Sequence, residues 1–146
     1  MENRSLKEKY RESNRVNPFV LHNGIEVEVV CPDRAILRFP VRRESLNLHG
    51  QVHGGALFAL ADNAAGCAAS TDGRYYVTQS SDVHFLRTVT EGTVRAESHV
   101  RHRGRSTVLV DVDITDDEGK LLATASFSFF CLGDVDAVRG AEPPKP

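Results

Sequence analysis

Between Thr93 and Leu132 three segments carry apolar and polar side chains alternating largely with a period of two, separated by turns that carry glycine. Val94, Ala96, Ser98 and Val100 mark one face of a strand over Thr93–Arg103. Val108, Val110, Val112 and Ile114 do so over Thr107–Thr115. In Lys120–Leu132, Ala123, Ala125, Phe127, Phe129 and Cys131 alternate with Thr124, Ser126 and Ser128. Such alternation places one face on a core and the other in water. Gly104-Arg105 and Asp117-Glu118-Gly119 supply the turns. Upstream, Ile25, Val27 and Val29 alternate with glutamates through Val30, and Ala35–Phe39 follows the turn at Pro32-Asp33. Phe19, Val20 and Leu21 form an apolar patch before Asn23-Gly24, a hairpin-type turn. Tyr75–Val89 is a longer extended segment with a bulge expected near Ser80-Ser81. Glu91-Gly92 then turns the chain. Ser5–Ser13 predicts a short surface helix with Leu6 and Tyr10 on one side.

One stretch breaks the two-residue period. From Ala56 to Ala69 the only ionisable side chains are Asp62 and the Cys67 thiol. Leu57, Leu60 and Ala61 recur at helical spacing, and Gly55, Ala59, Asp62, Ala65, Gly66 and Ala69 make a face of small residues. A helix apolar nearly all round is a buried one. Thr71-Asp72-Gly73 ends it. The order is two strands, one buried helix, then four strands joined by short turns and therefore antiparallel neighbours. That order predicts an α+β fold, with a curled antiparallel sheet of about six strands wrapped around one long central helix. The helix is wider in its apolar stripe than a flat sheet covers, so the sheet curls or a second subunit closes the other side.

Composition narrows the function classes. With 146 residues, 40% hydrophobic and 26% charged, the chain reads as one globular domain over residues 18–133. A polar segment, residues 1–17, precedes it and a loose tail, 134–146, follows. The net charge of −2 gives no reason to expect nucleic acid or an anionic membrane as partner. Met1–Asn17 has no secretory apolar segment, and no run reaches the roughly 18 apolar residues of a membrane span. Cys31, Cys67 and Cys131 are odd in number and far apart, as reduced cytoplasmic thiols would be.

Asp62 is then the outlier. An ionised carboxylate on a buried helix needs partners, a shifted pKa or a chemical task. Gly54-Gly55 at the helix start offers free N–H groups at the positive end of the helix dipole, a place for a carbonyl oxygen gaining charge. Asn47 and His53 put polar side chains just before it. Asp62 stands about 12 Å further along the axis, too far for one carbonyl to reach both ends. In a two-fold dimer the helix start of one chain can face the carboxylate of the other, which places a shared site at the subunit boundary. His49 and His53 invite a metal reading, but they precede the helix and lack a third ligand, so no metal or other cofactor is expected.

The spacing N-x-x-G-x-x-H-G-G-x(6)-D, here Asn47, Gly50, His53, Gly54, Gly55 and Asp62, resembles the hotdog-fold acyl-CoA thioesterases of the phenylacetic-acid-degradation type. Asp82-Val-His-Phe-Leu-Arg-Thr-Val89-Thr-Glu-Gly92 is similar to that family's N-x-x-F-L-R-P-V-x-x-G, with Asp82 and Thr88 in place of Asn and Pro. The resemblance spans Ile25 to Cys131. It implies hydrolysis of acyl-CoA or aryl-CoA thioesters by a homodimer, doubled to a dimer of dimers. It makes Asp62 base or nucleophile, the Gly54 amide the oxyanion donor, and Asn47 and His53 the residues orienting water and loop. It puts the Thr78 hydroxyl near the carboxylate. Gly55, with no side chain, lets substrate approach the backbone. Arg101, Arg103 and Arg105 around Gly104 form a basic turn suited to coenzyme A phosphates, or else a solvated hairpin end. His84 and Phe85 are expected at the acyl pocket, one of them pointing away because strand neighbours alternate. Two other activities fit the same resemblance, an acyl-thioester dehydratase or hydratase and a non-catalytic acyl-CoA-binding module.

Overall fold

The computed structural model describes residues 5–134 of the chain. Ser5 caps α1 (Leu6–Asn14) reciprocally with Glu8 in a capping box. The helix turns Leu6 and Tyr10 inward against the first strand. A helix absent from the sequence pattern, α2 (Pro18–His22), follows. Pro18 sits at its first turn, and the Asn17 side chain accepts from the Val20 N–H at 3.3 Å. Asn23-Gly24 is therefore not a hairpin turn. Gly24, at φ 65°, ends α2 and packs against the Arg42 guanidinium.

Six strands make one sheet in the order β1-β2-β4-β5-β6-β3. They are β1 (Glu26–Cys31), β2 (Arg34–Pro40), β3 (Arg74–Phe85), β4 (Thr93–Arg103), β5 (Thr107–Thr115) and β6 (Leu121–Asp134), all paired antiparallel. The sequence alternation matches β4, β5 and β6 closely. In β1 a bulge between Val27 and Val29 resets the period, so Val27 and Val30 are the buried pair. One inferred connection is corrected: β3 and β4 are not neighbours. Residues 86–92 carry the chain from the far edge back to the middle, and among the described residues β3 pairs only with β6. Leu86 and Arg87 donate to the Leu122 carbonyl as the chain leaves the edge, which ends β3 at Phe85, short of the expected Val89. The expected bulge falls between Thr78 and Ser80.

Helix α3 (Gly54–Ala69) lies across the inner face of the sheet, against β4, β2 and β5 above all. Leu57, Leu60, Ala61, Ala64, Ala65, Cys67, Ala68 and Ala69 are buried. Alanines let helix and sheet approach closely. The buried Ser98 hydroxyl lies 2.8 Å from the Ala64 carbonyl and 3.1 Å from that of Ala35, and can donate to either. Burial pushes the Cys67 thiol up to about 12, so it stays protonated as core filling. The helix is not covered all round, however. Gly55 is exposed, and Ala59, Asp62 and Gly66 are half-buried.

The C-terminal end of α3 is closed by Arg103. Its guanidinium donates to the Ala69 carbonyl at 2.8 Å, to Asp72 at 2.8 Å and to Asp33 at 2.7 Å. It thus satisfies helix carbonyls that have no partner within the helix. Asp72 also accepts from the Tyr76 hydroxyl at 2.7 Å and from Arg74 at 2.8 Å. Partial burial works to raise the Asp72 pKa, but the bonds from Tyr76 and Arg74 and the charge of Arg103 hold it below the ordinary carboxylate value. A carboxyl depressed in the folded state stabilises the fold above its unfolded pKa, near 4, and loses that effect as pH falls through the folded value. Asp72→Asn is accordingly expected to cost about 1 kcal/mol at neutral pH, allowing for solvent screening. It should also flatten the decline in stability below about pH 4. Urea unfolding at stepped pH reads both, and a variant keeping the wild-type acid slope would assign that slope elsewhere.

Candidate functional site

Ahead of α3 the chain makes a small finger. Leu46 and Val52 form a β-bridge, and the Asn47 N–H donates to the Gln51 carbonyl at 2.7 Å. The Asn47 side-chain oxygen accepts from the N–H groups of His49 (2.9 Å) and Gln51 (3.2 Å), while Gly50 turns the tip at φ 73°. Asn47 therefore builds the loop, and its amide donors have no partner among the described residues. The finger is held at its base by Val52 N–H to the Val89 carbonyl and His53 N–H to the Ser45 carbonyl, both 2.8 Å.

His53 is the N-cap of α3, and its Nδ1 accepts from the Gly55 N–H at 2.8 Å. A nitrogen that accepts carries no proton, so the neutral ring holds its hydrogen on Nε2. With Gly55 satisfied, the Gly54 N–H has no acceptor among the described residues. It is the unpaired donor at the positive end of the helix. The Phe85 ring stands beside it, 3.5 Å from where a Cβ at Gly54 would lie.

Two turns along, half-buried Asp62 accepts from the Thr78 hydroxyl at 2.7 Å. The bulge after Thr78 sets this up. Thr78 is in register with inward-facing Phe129, and the next paired residue is Ser80 opposite Ser128. Asp62 and Gly54 remain about 12 Å apart along the axis.

The other expected residues separate into those near this end of α3 and those far from it. Phe85, opposite buried Ala123, faces the helix start. His84, opposite Thr124, lies on the outer face of the sheet, 3.5 Å from Asp82, and is not brought to the site within the protomer. The basic turn sits at the other end of the 16-residue helix, about 24 Å from Gly54. There Arg101 is ion-paired with Asp111 at 2.9 Å, and Arg103 is consumed by Asp33, Asp72 and the helix end. Among the described residues, only the Arg105 guanidinium of this turn is left without an ion pair. Arg43, Leu48 and His49, which the motif spacing passes over, wall a concavity of about 800 Å³ beside the finger. Among the described residues no three His, Cys, Asp or Glu side chains converge as a metal site. No helix among them is long and apolar enough to cross a membrane.

Among the described residues the sheet has one uncovered edge. Helix α1 lies against β1, whereas the 12 residues of β3 are exposed almost throughout, apolar Tyr75, Val77 and Phe85 included. Such an edge is a template for another strand.

A model of the thioesterase superfamily matches residues 49–123, from the finger tip through α3 into β6. The acyl-coenzyme A thioesterase PaaI of Escherichia coli K12 is 34% identical over 101 residues, which are 68% of this chain and 72% of PaaI. The structure of E. coli PaaI, from the phenylacetic acid degradation operon, matches with a TM-score of 0.83 at 28% identity over 89% of this chain and 98% of that one. A hypothetical thioesterase protein of Streptococcus pneumoniae TIGR4, solved with coenzyme A, matches with a TM-score of 0.72 at 32% identity over 75% of this chain and 90% of that one. A thioesterase protein of that strain has also been solved as an aspartate-to-alanine and as a threonine-to-alanine variant. The two altered positions are sixteen residues apart, the separation of Asp62 and Thr78 here. The curled antiparallel sheet around one helix is thus the hotdog fold, and the chain belongs to the thioesterase superfamily as a thioester hydrolase.

Proposed function

We propose that this enzyme hydrolyses acyl-CoA or aryl-CoA thioesters in a homodimer whose active sites are shared between protomers. The observation that carries this reading is the Asp62–Thr78 hydrogen bond, set where α3 meets the uncovered edge strand. Pairing β3 with its symmetry mate satisfies that edge and covers the open stripe of α3. It brings the unpaired Gly54 N–H of one protomer towards the Asp62 of the other, which the 12 Å separation within a chain does not allow. The thioester carbonyl oxygen takes the Gly54 amide, and Asp62 delivers the attack on carbon, itself or through a water it deprotonates. Where water attacks, its hydroxyl stays on the acyl carbon, the acyl C–S bond breaks, and the proton taken by Asp62 passes to the departing thiolate. Where Asp62 attacks first, the C–S bond breaks to leave an acyl anhydride on Asp62. Water then cleaves it to the free acid, regenerating the carboxylate and protonating the thiolate. Asn47 and His53 hold the loop that presents the amide, glycine at Gly55 leaves room for the substrate, and Phe85 walls the acyl group. Val77, Leu109, Phe130 and Leu132, exposed on the outer face of β3, β5 and β6, give two such dimers a surface to meet.

Thiol release from a panel of CoA thioesters tests the reaction. Release from acyl or aryl members supports it. Hydration of crotonyl-CoA without thiol release would instead make the protein a hydratase. Thr78→Val keeps a β-branched residue in the strand but removes the proton shared with Asp62. It is expected to lower kcat about tenfold with KM little changed, whereas Thr78→Ser retains activity. Equal kinetics for the valine and serine variants would remove Thr78 from the mechanism.

A further inference from the structure

We infer that the concavity walled by Arg43 and His49 holds the phosphates at the nucleotide end of coenzyme A. This rests on the thioester-hydrolase site described above and names where its carrier is gripped. Most arginines of the sheet already have carboxylate partners. Arg34 pairs with Glu97, Arg38 with Glu26, Arg95 with Glu28, Arg101 with Asp111, and Arg103 with Asp33 and Asp72. Arg43 is exposed and makes no ion pair or side-chain hydrogen bond among the described residues. Its concavity is also lined by Asn47, His49 and His53, and no carboxylate stands on the wall.

Size and polarity agree with that ligand. About 800 Å³ lies within the range of small-molecule and cofactor sites. A guanidinium offers phosphate a bidentate fork, and the unengaged Asn47 amide adds neutral donors. Leu46 and fully exposed Leu48 supply apolar wall for the amide-bearing arm between phosphate and thioester. The position is continuous with the reaction site. The Ser45 carbonyl, two residues from Arg43, accepts from the His53 N–H at 2.8 Å, and Gly54 follows directly. Arg105, the cation of the distant turn without an ion pair among the described residues, is separated from Gly54 by the whole length of α3.

Calorimetric titration of the full chain with coenzyme A, pantetheine and 3′,5′-ADP tests this without requiring turnover. Arg43→Ala is expected to weaken coenzyme A and 3′,5′-ADP about tenfold, leaving pantetheine unchanged. Arg43→Lys should restore part of the loss, and added salt should weaken the wild-type complex. Unchanged coenzyme A affinity in Arg43→Ala, a parallel loss for pantetheine, a loss carried by Arg105→Ala instead, or no binding by the wild type would each overturn it. Arg43→Gln, compared by thermal unfolding, separates a folding defect from a lost contact. Coenzyme A binding that depends on Arg43 in a protein that releases no thiol would sink the hydrolase reading and leave this one standing.

Discussion

Asp62→Asn is expected to lower kcat for CoA-thioester hydrolysis by about 1000-fold while the protein stays folded and keeps the proposed dimer. Asparagine has nearly the same shape, and its oxygen still accepts the Thr78 hydroxyl bond that Asp62 accepts at 2.7 Å. It cannot accept a proton from water or attack a carbonyl. A half-buried ion becomes a neutral amide, so stability should hold or rise slightly. Thiol release, thermal unfolding and gel filtration together read the outcome. Wild-type turnover in a folded Asp62→Asn dimer would take the carboxylate out of the chemistry.

The second large effect concerns a single amide hydrogen. Gly54 is the first residue of α3, a position that suits proline because its N–H lies outside the helix ladder. His53 before it already has φ −64° and ψ 135°, the extended conformation that proline requires of its predecessor. Gly54→Pro therefore removes the proposed oxyanion donor while preserving the helix start. The expected loss in kcat is about 100- to 1000-fold, that of deleting one oxyanion donor. Gly54→Ala is the control. Its N–H remains and its Cβ meets the Phe85 ring at an ordinary 3.5 Å, so activity should stay within a few-fold of wild type. If the alanine variant fell as far as the proline one, crowding against Phe85 would explain the loss and the amide would not.

The parts of this fold legible in the sequence are those where one physical requirement acts on a local run. Strands β4, β5 and β6 each have one buried face, so Val94 to Phe129 display their period directly. The start of α3 declares itself because His53-Gly54-Gly55 and Asp62 are chemically conspicuous against Leu and Ala. Elsewhere a local signal had two outcomes. Asn-Gly favours positive φ in a hairpin turn and equally just beyond a helix, and Pro18 with Asn17 decides for the helix. The length of segment 86–92 does not say whether it joins neighbours, and the sheet order settles that it does not.

The site was legible in composition and less so in assignment. Thr78 depends on the bulge that follows it, a backbone feature with no residue signature of its own. His84 and Phe85 are adjacent, and pairing with Thr124 and Ala123 decides which faces the helix. Arg103 looks like a free cation in a basic turn because its partners, Asp33, Asp72 and the Ala69 carbonyl, come from other segments. Arg43 is the converse. Nothing in its mixed-charge connector distinguishes it until Arg34, Arg38, Arg95, Arg101 and Arg103 of the sheet are seen to be paired.

A catalytic centre assembled from both chains can be tested by mixing protomers. A dimer of one Asp62→Asn chain and one Gly54→Pro chain, co-expressed with different tags and purified through both, has one site with both defects and one site with neither. The expected result is about half the wild-type kcat per dimer, although each parent homodimer is nearly inactive. Mixed dimers no more active than their parents would show that Asp62 and Gly54 of the same protomer work together, and the shared site would be wrong.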